Sequence, residues 1–274
     1  MRMRWVALFG VLLVVLAGCA SGRAAPSAEH TIRVGGLDRS YRLHVPAGVQ
    51  SPAPLVVLLH GGFGSARQAE SSYGWDQLAD VAKFVVAYPD GLDRAWNTGG
   101  GCCGQPSRDG VDDVGFITAA IADIASHVAI DRSRVYATGM SNGGIMAYTL
   151  ACNSGLFAAI GPVAATQLDP CGAPHSTSVR QIHGTDDPRV PYGGGQGRGV
   201  AHIDGPPVPE VDAFWRRVDG CADPTVGTSG QVTTSSASCP GDRVVELATV
   251  TGLGHDWPPF ATQSLWDFFA GHRS

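Results

Sequence analysis

Gly139-Met140-Ser141-Asn142-Gly143 follows a β-rich run, Arg134-Val135-Tyr136-Ala137-Thr138, and precedes a helix-forming run, Ile145-Met146-Ala147-Tyr148-Thr149-Leu150-Ala151. A strand that turns abruptly into a helix tolerates only small residues beside the turn, and the turn pushes the central side chain out of the sheet. The pentapeptide in this context predicts a nucleophile elbow with Ser141 at its apex. Glycine and serine are common, so the motif alone would also fit an ordinary turn. The flanking runs decide for the elbow.

Outward from the elbow, short apolar strands alternate with helices. Thr31 to Val34 and Ser40 to Val45 read as a hairpin around Gly35-Gly36, and Leu55 to Leu59 as a strand buried on both faces. Gln77 to Lys83 reads as a helix and Phe84 to Tyr88 as a strand. Val114 to Val128 has helical periodicity, with Asp112 and Asp113 placed to cap it. Ala158 to Val163, Val179 to His183 and Val244 to Val250 read as further strands, and Thr262 to Gly271 as a closing helix. This order predicts an α/β fold, a mostly parallel sheet with helices on both faces. Two long irregular stretches, Asp90 to Gly110 and Pro188 to Pro209, are expected to wall a cleft at the carboxyl ends of the strands.

A serine hydroxyl needs a base, and the base needs a carboxylate to fix its tautomer. In a fold with this elbow the chain order is serine, acid, histidine. Of the histidines after Ser141, only His255 lies in a short glycine-flanked loop just past the last strand, Gly252-Leu253-Gly254-His255-Asp256-Trp257-Pro258. The acid is expected in His183-Gly184-Thr185-Asp186-Asp187-Pro188-Arg189-Val190-Pro191, which follows a strand and offers two adjacent aspartates. The segment resembles the H-G-x-x-D-x-x-V-P pattern of α/β-hydrolases, which implies Asp187 ahead of Asp186, with Asp169 a distant third. An oxyanion requires two N–H donors. Asn142 supplies one, and the glycine-rich Leu59-His60-Gly61-Gly62-Phe63-Gly64 the other, from Gly62 ahead of Phe63. His60 and His183 are expected to brace their loops. Trp96, Tyr192 and Trp257 are candidate substrate-binding residues, with packing as the competing role for each.

The amino terminus carries Arg2 and Arg4, then an apolar stretch from Trp5 to Val15, then Leu16-Ala17-Gly18-Cys19. This reads as a secretory signal over residues 1–18, too short for a membrane span. It resembles a lipobox, with Cys19 as the lipidated first mature residue and residues 19–29 as a tether. An ordinary signal peptide cut after Ala24 or Ala25 is the alternative. Residues 30–274 suit one catalytic domain. The net charge of -5 and the scattered arginines argue against a nucleic-acid partner. No cysteine or histidine spacing reads as a metal site, and no cofactor is expected. Of seven cysteines, Cys19 aside, six remain for an oxidising compartment. Cys152 with Cys171 and Cys221 with Cys239 are plausible pairs; Cys102 and Cys103 either bridge each other or exchange partners with the rest.

Taken together, Leu58-Leu59-His60-Gly61-Gly62, Tyr88-Pro89-Asp90-Gly91, Trp96-Asn97, Cys102-Cys103-Gly104, Asp112 to Phe116, Gly139 to Gly143, His183 to Tyr192 and Gly254 to Pro258 resemble the secreted esterases that include polyhydroxybutyrate depolymerase-like proteins and feruloyl and acetyl-xylan esterases. The resemblance implies an α/β-hydrolase fold and a Ser141, Asp187, His255 triad acting on small-molecule or polymeric esters. It implies export, with a lipid anchor as the membrane contact. The chain ends at Ser274 without the polymer-binding domain of typical polyester depolymerases, which favours soluble or envelope-bound esters. A serine peptidase of prolyl oligopeptidase type and a non-catalytic lipoprotein are the competing readings.

Overall fold

A computed structural model of the chain describes Met1 and residues 27–274. Residues 2–18 of the expected signal peptide, the expected lipidation site Cys19 and most of the expected tether lie outside the described residues. The elements are β1 (Ala28–Val34), β2 (Leu37–His44), β3 (Ala53–Leu59), α1 (Ala66–Ser72), α2 (Trp75–Ala82), β4 (Val85–Pro89), α3 (Gly104–Arg108), α4 (Asp113–His127), β5 (Ile130–Met140) and α5 (Asn142–Asn153). They continue with β6 (Ala159–Val163), β7 (Ser178–Gly184), β8 (Gly195–Gln196), β9 (Asp204–Gly205), α6 (Val208–Val218), β10 (Thr225–Ser229), β11 (Val232–Ser238), β12 (Val244–Val250) and α7 (Ala261–Ala270). Ala28 and Glu29, expected in the tether, already pair with Leu43 and Arg42 in β1. Pairing at a sheet edge uses backbone groups, so it needs no apolar signal in the side chains.

Ten strands form one sheet in the order β1-β2-β4-β3-β5-β6-β7-β12-β11-β10. The six strands from β4 to β12 run parallel, and antiparallel strands finish both edges. The period-two geometry of β3 divides the core between the two faces. Leu55, Val57 and Leu59 pack with Phe116, Ile117 and Ile124 of α4 and with Met146 and Leu150 of α5. Val56 and Leu58 pack with Trp75 of α2 and with Leu265 and Phe269 of α7.

Asp112 caps α4, its carboxylate accepting from Gly115 N–H at 2.7 Å. Asp113 does something else. It is buried, takes the Arg39 guanidinium at 2.6 Å, and accepts from Asn97 N–H at 2.7 Å, tying the loop after β4 to the sheet edge. Pairs Cys152–Cys171, Cys221–Cys239 and the vicinal Cys102–Cys103 are bridged.

Candidate active site

The turn after β5 is as tight as its sequence requires. Ser141 sits at φ 57°, ψ -123°, a conformation that costs an L-residue about 1–3 kcal/mol and persists only where the surroundings enforce it. Its N–H donates to Val163 O at 2.9 Å, and its carbonyl accepts from Ile145 N–H at 2.9 Å. The glycines on either side are needed for close approach. A Cβ on Gly139 would stand 2.5 Å from Leu59 O, and one on Gly143 would overlap the Leu59 and His60 carbonyls.

Asp187 and His255 meet at the ends of neighbouring parallel strands, β7 and β12. Two contacts zip their loops together: Asp186 N–H donates to Leu253 O at 3.0 Å, and Gly252 N–H to Thr185 Oγ1 at 2.9 Å. Asp187 Oδ2 then accepts from His255 Nδ1 at 2.7 Å, while Oδ1 accepts from the N–H groups of Arg189 and Val190 at 2.8 and 2.9 Å. Burial alone would raise this carboxyl. The His255 hydrogen bond and the two backbone donors outweigh it and hold Asp187 below the ordinary carboxylate value. Asp186 is exposed and, among the described residues, its carboxylate accepts only from its neighbour Thr185 Oγ1 at 2.8 Å. Both Asp169 carboxylate oxygens are engaged elsewhere, accepting from Asn153 Nδ2 at 2.9 Å and from Cys171 N–H at 2.6 Å. No hydrogen bond links His255 to Ser141 among the described residues.

The loop after β3 runs beside the elbow: a Cβ on Gly61 would lie 3.7 Å from Ser141 Cβ, and one on Gly62 would lie 3.8 Å from Asn142 Cβ. Phe63 N–H is committed to Arg94 O at 2.8 Å, whereas Gly62 N–H has no acceptor among the described residues. Asn142 opens α5, where a backbone N–H has no partner within the helix. Gly62 and Asn142 therefore present free donors side by side at the elbow. His60, fully buried, holds this loop. Its Nδ1 donates to Gly61 O at 2.8 Å and its Nε2 accepts from Gly91 N–H at 2.9 Å, which fixes a neutral ring. Burial pulls its pKa down, and Asp90 at 3.4 Å does not reverse that.

The family model for the PHB depolymerase esterases matches residues 39–179, which include the glycine-rich loop after β3 and the elbow. "Putative esterase NocK" of Nocardia uniformis subsp. tsuyamanensis is 32% identical, over 85% of this chain and 75% of its own length.

The chain belongs to the PHB depolymerase esterase family and is a carboxylic ester hydrolase.

Other relatives of this esterase carry different substrate names. Feruloyl esterase C of Emericella nidulans is 28% identical over 84% of this chain and 83% of its own. Poly(3-hydroxyalkanoate) depolymerase C of Paucimonas lemoignei is also 28% identical, but the alignment covers 78% of this chain and 58% of that one. An acetyl xylan esterase from Aspergillus awamori superposes with a TM-score of 0.69 over 89% of this chain and 99% of its own, at 17% identity, which shows the shared α/β-hydrolase fold.

The aromatic expectations for the esterase fare unequally. Trp96 is fully buried, and its indole N–H donates to His60 O at 2.8 Å. It lies against the glycine-rich loop after β3 and offers no face to a substrate, because an indole with its N–H paired in the core packs instead of stacking. Tyr192 is half-buried beside the acid loop, its hydroxyl 2.9 Å from Thr249 Oγ1 and its ring edge-on to His183. Trp257, two residues from His255, is half-buried and stacks on Tyr73 with centroids 4.5 Å apart. The Tyr73 hydroxyl lies 3.7 Å from Met140 Sδ, next to the serine. Tyr73 had no signal in the sequence, since nothing local distinguishes a tyrosine after a short helix from a packing residue. Phe63 projects 62% exposed from the oxyanion loop. Among the described residues no group of three or more His, Cys, Asp or Glu side chains is arranged to hold a metal, and no helix is long and apolar enough to cross a membrane.

Proposed function

We propose that this chain is an exported serine esterase that works through an acyl-enzyme on Ser141. The observation that carries the reading is the Asp187–His255 hydrogen bond of 2.7 Å, built after β7 and β12 of the same parallel sheet whose β5 ends in a strained, small-residue elbow. Asp187 accepts a hydrogen bond from Nδ1–H and stays ionised, so His255 keeps a basic Nε2 free, as a general base requires. Ser141 Oγ attacks the ester carbonyl while Nε2 takes its proton, and the N–H groups of Gly62 and Asn142 stabilise the oxyanion. The same proton passes to the leaving alkoxide. Water activated by His255 then attacks the acyl carbonyl and releases the acid, restoring the serine. The Ser141–His255 hydrogen bond forms when substrate closes the site, a tightening common to catalytic contacts of free enzymes.

The Tyr73–Trp257 stack and the exposed Phe63 support short acyl or arylacyl esters, in keeping with relatives named feruloyl esterase. The disulfides support an oxidising destination, and Cys19 supplies the lipid anchor on the outer face of the membrane. A panel of p-nitrophenyl esters from acetate to palmitate, with methyl ferulate and peptide anilides, tests the reading. kcat/KM peaks at acetate to butyrate or at ferulate; a steady rise to palmitate makes the protein a lipase, and cleavage of the anilides alone makes it a peptidase.

A further inference from the structure

We propose that the Asn142 side chain is a positioning residue that holds both halves of the oxyanion hole in register; this rests on the reading of Ser141 as nucleophile and of Gly62 and Asn142 as donors. The residue after a nucleophile is needed for its backbone N–H, which any side chain would supply. Here the side chain is buried and fully used. Asn142 Oδ1 accepts from Trp96 N–H at 2.7 Å and Nδ2 donates to Trp96 O at 3.1 Å, so the amide pairs with one peptide group at each end of a single residue. Only an amide offers a donor and an acceptor side by side in that arrangement.

The clamp continues into the other donor's loop. Trp96 Nε1–H donates to His60 O at 2.8 Å, and the indole packs on the His60 ring with centroids 4.8 Å apart. The His60 ring in turn takes hydrogen bonds to Gly61 O and from Gly91 N–H. A chain of short contacts therefore runs from the side chain of one donor residue, through Trp96 and His60, to the peptide that precedes the other donor, Gly62. Cys103 N–H also donates to Trp96 O at 3.0 Å, and Cys102 Sγ lies 4.0 Å from Asn142 Nδ2, so the vicinal cysteine pair backs the clamp. Thr149 Oγ1 hooks Thr98 O of the same loop at 2.9 Å, but two turns further along α5. Asn142 sets the distance between the two N–H groups, and with it the stabilisation of the oxyanion rather than the affinity for the ester.

Asn142→Ala, Trp96→Phe and Thr149→Val are compared with the parent on p-nitrophenyl butyrate. Inhibition by a trifluoromethyl ketone analogue is measured alongside: Ser141 Oγ adds to its carbonyl, His255 takes the serine proton, and the resulting hemiketal oxyanion occupies the hole. A fluorophosphonate label located by mass spectrometry reports Ser141 in each protein. Asn142→Ala lowers kcat about tenfold to a hundredfold with KM within about threefold, and weakens the ketone by a matching factor. Trp96→Phe shifts both readings in the same direction, and Thr149→Val leaves them at the parental value. The inference falls if folded Asn142→Ala keeps kcat and ketone affinity within twofold, or if Thr149→Val loses as much, which would make the contact general loop support. Should Asn142→Ala not fold, Trp96→Phe decides by the same two readings. Absence of label from Ser141 in the parent overturns the serine reading itself, whereas labelling with unchanged kinetics in the variants overturns only the clamp.

Discussion

His255 Nδ1 donates to Asp187 Oδ2 over 2.7 Å, and the adjacent carboxylate of Asp186 points to Thr185 instead. Two neighbouring aspartates thus have separate duties. Asp187→Asn keeps the side-chain shape but turns the imidazole to the wrong tautomer, and kcat falls by about 10⁴. Asp186→Asn, at an exposed site, stays within about threefold of the parent. Steady-state kinetics on one ester separates them, and the reverse order moves the acid by one position.

Stability falls as pH falls through the mild acid range. His60 and His183 are buried, and burial lowers the pKa of both. Asp90 beside His60 and Asp187 beside His183 oppose this without overcoming desolvation, while Arg94 and His255 push in the same direction as burial. Below about pH 6.5 the unfolded chain takes protons that the native state refuses. Unfolding free energy then drops by up to about 2.7 kcal/mol per pH unit for two such groups. The depressed Asp187 adds a further loss at lower pH, as it protonates. Urea denaturation at pH 8.0 and pH 5.5 checks this; equal stability at the two values contradicts it.

Gly143→Ala is expected to destabilise the fold by about 1–3 kcal/mol, because its methyl group overlaps the Leu59 and His60 carbonyls and backbone must move to admit it. Thermal unfolding detects this as a drop of several degrees, and activity falls with it, since the displaced segment leads into the oxyanion loop. An unchanged Tm contradicts a close apposition of β3 and α5 at this glycine.

The bridges differ in what they stabilise. Replacing Cys152 and Cys171 by serine opens a loop with a sequence separation of 19, worth about 3 kcal/mol in the chain-entropy model. Replacing Cys102 and Cys103 opens a separation of 1 and costs about 1 kcal/mol in that model. Denaturant midpoints of the two double variants rank them; a larger loss for the vicinal pair means that packing against Ile145 and Val190 outweighs chain entropy at that site.

Much of the sheet and its catalytic edge was legible in the sequence, because elbow, glycine loop and histidine loop are each set by local chemistry. Buried parallel strands such as Val56-Val57-Leu58 also announce themselves as apolar runs. α6 was hidden. Pro206, Pro207 and Pro209 read as loop, yet Pro207 is the cap and Pro209 falls in the first turn, where a missing N–H costs nothing. The β10–β11 hairpin was hidden as well, since its threonines and serines are largely solvent-facing and carry little apolar alternation. The role of Trp96 stays open in the sequence, because a loop aromatic looks the same whether it packs downward or faces a cleft. The second duty of Asn142 depends on a partner 46 residues away, which no local pattern encodes.

The central claim is that Ser141 carries the acyl group, and Ser141→Ala tests it most directly. With p-nitrophenyl butyrate, kcat/KM falls by about 10⁴ or more while the circular dichroism spectrum and Tm stay at the parental values, because the lost hydroxyl makes no capping contact in the fold. Folded Ser141→Ala retaining turnover within tenfold of the parent would contradict the account.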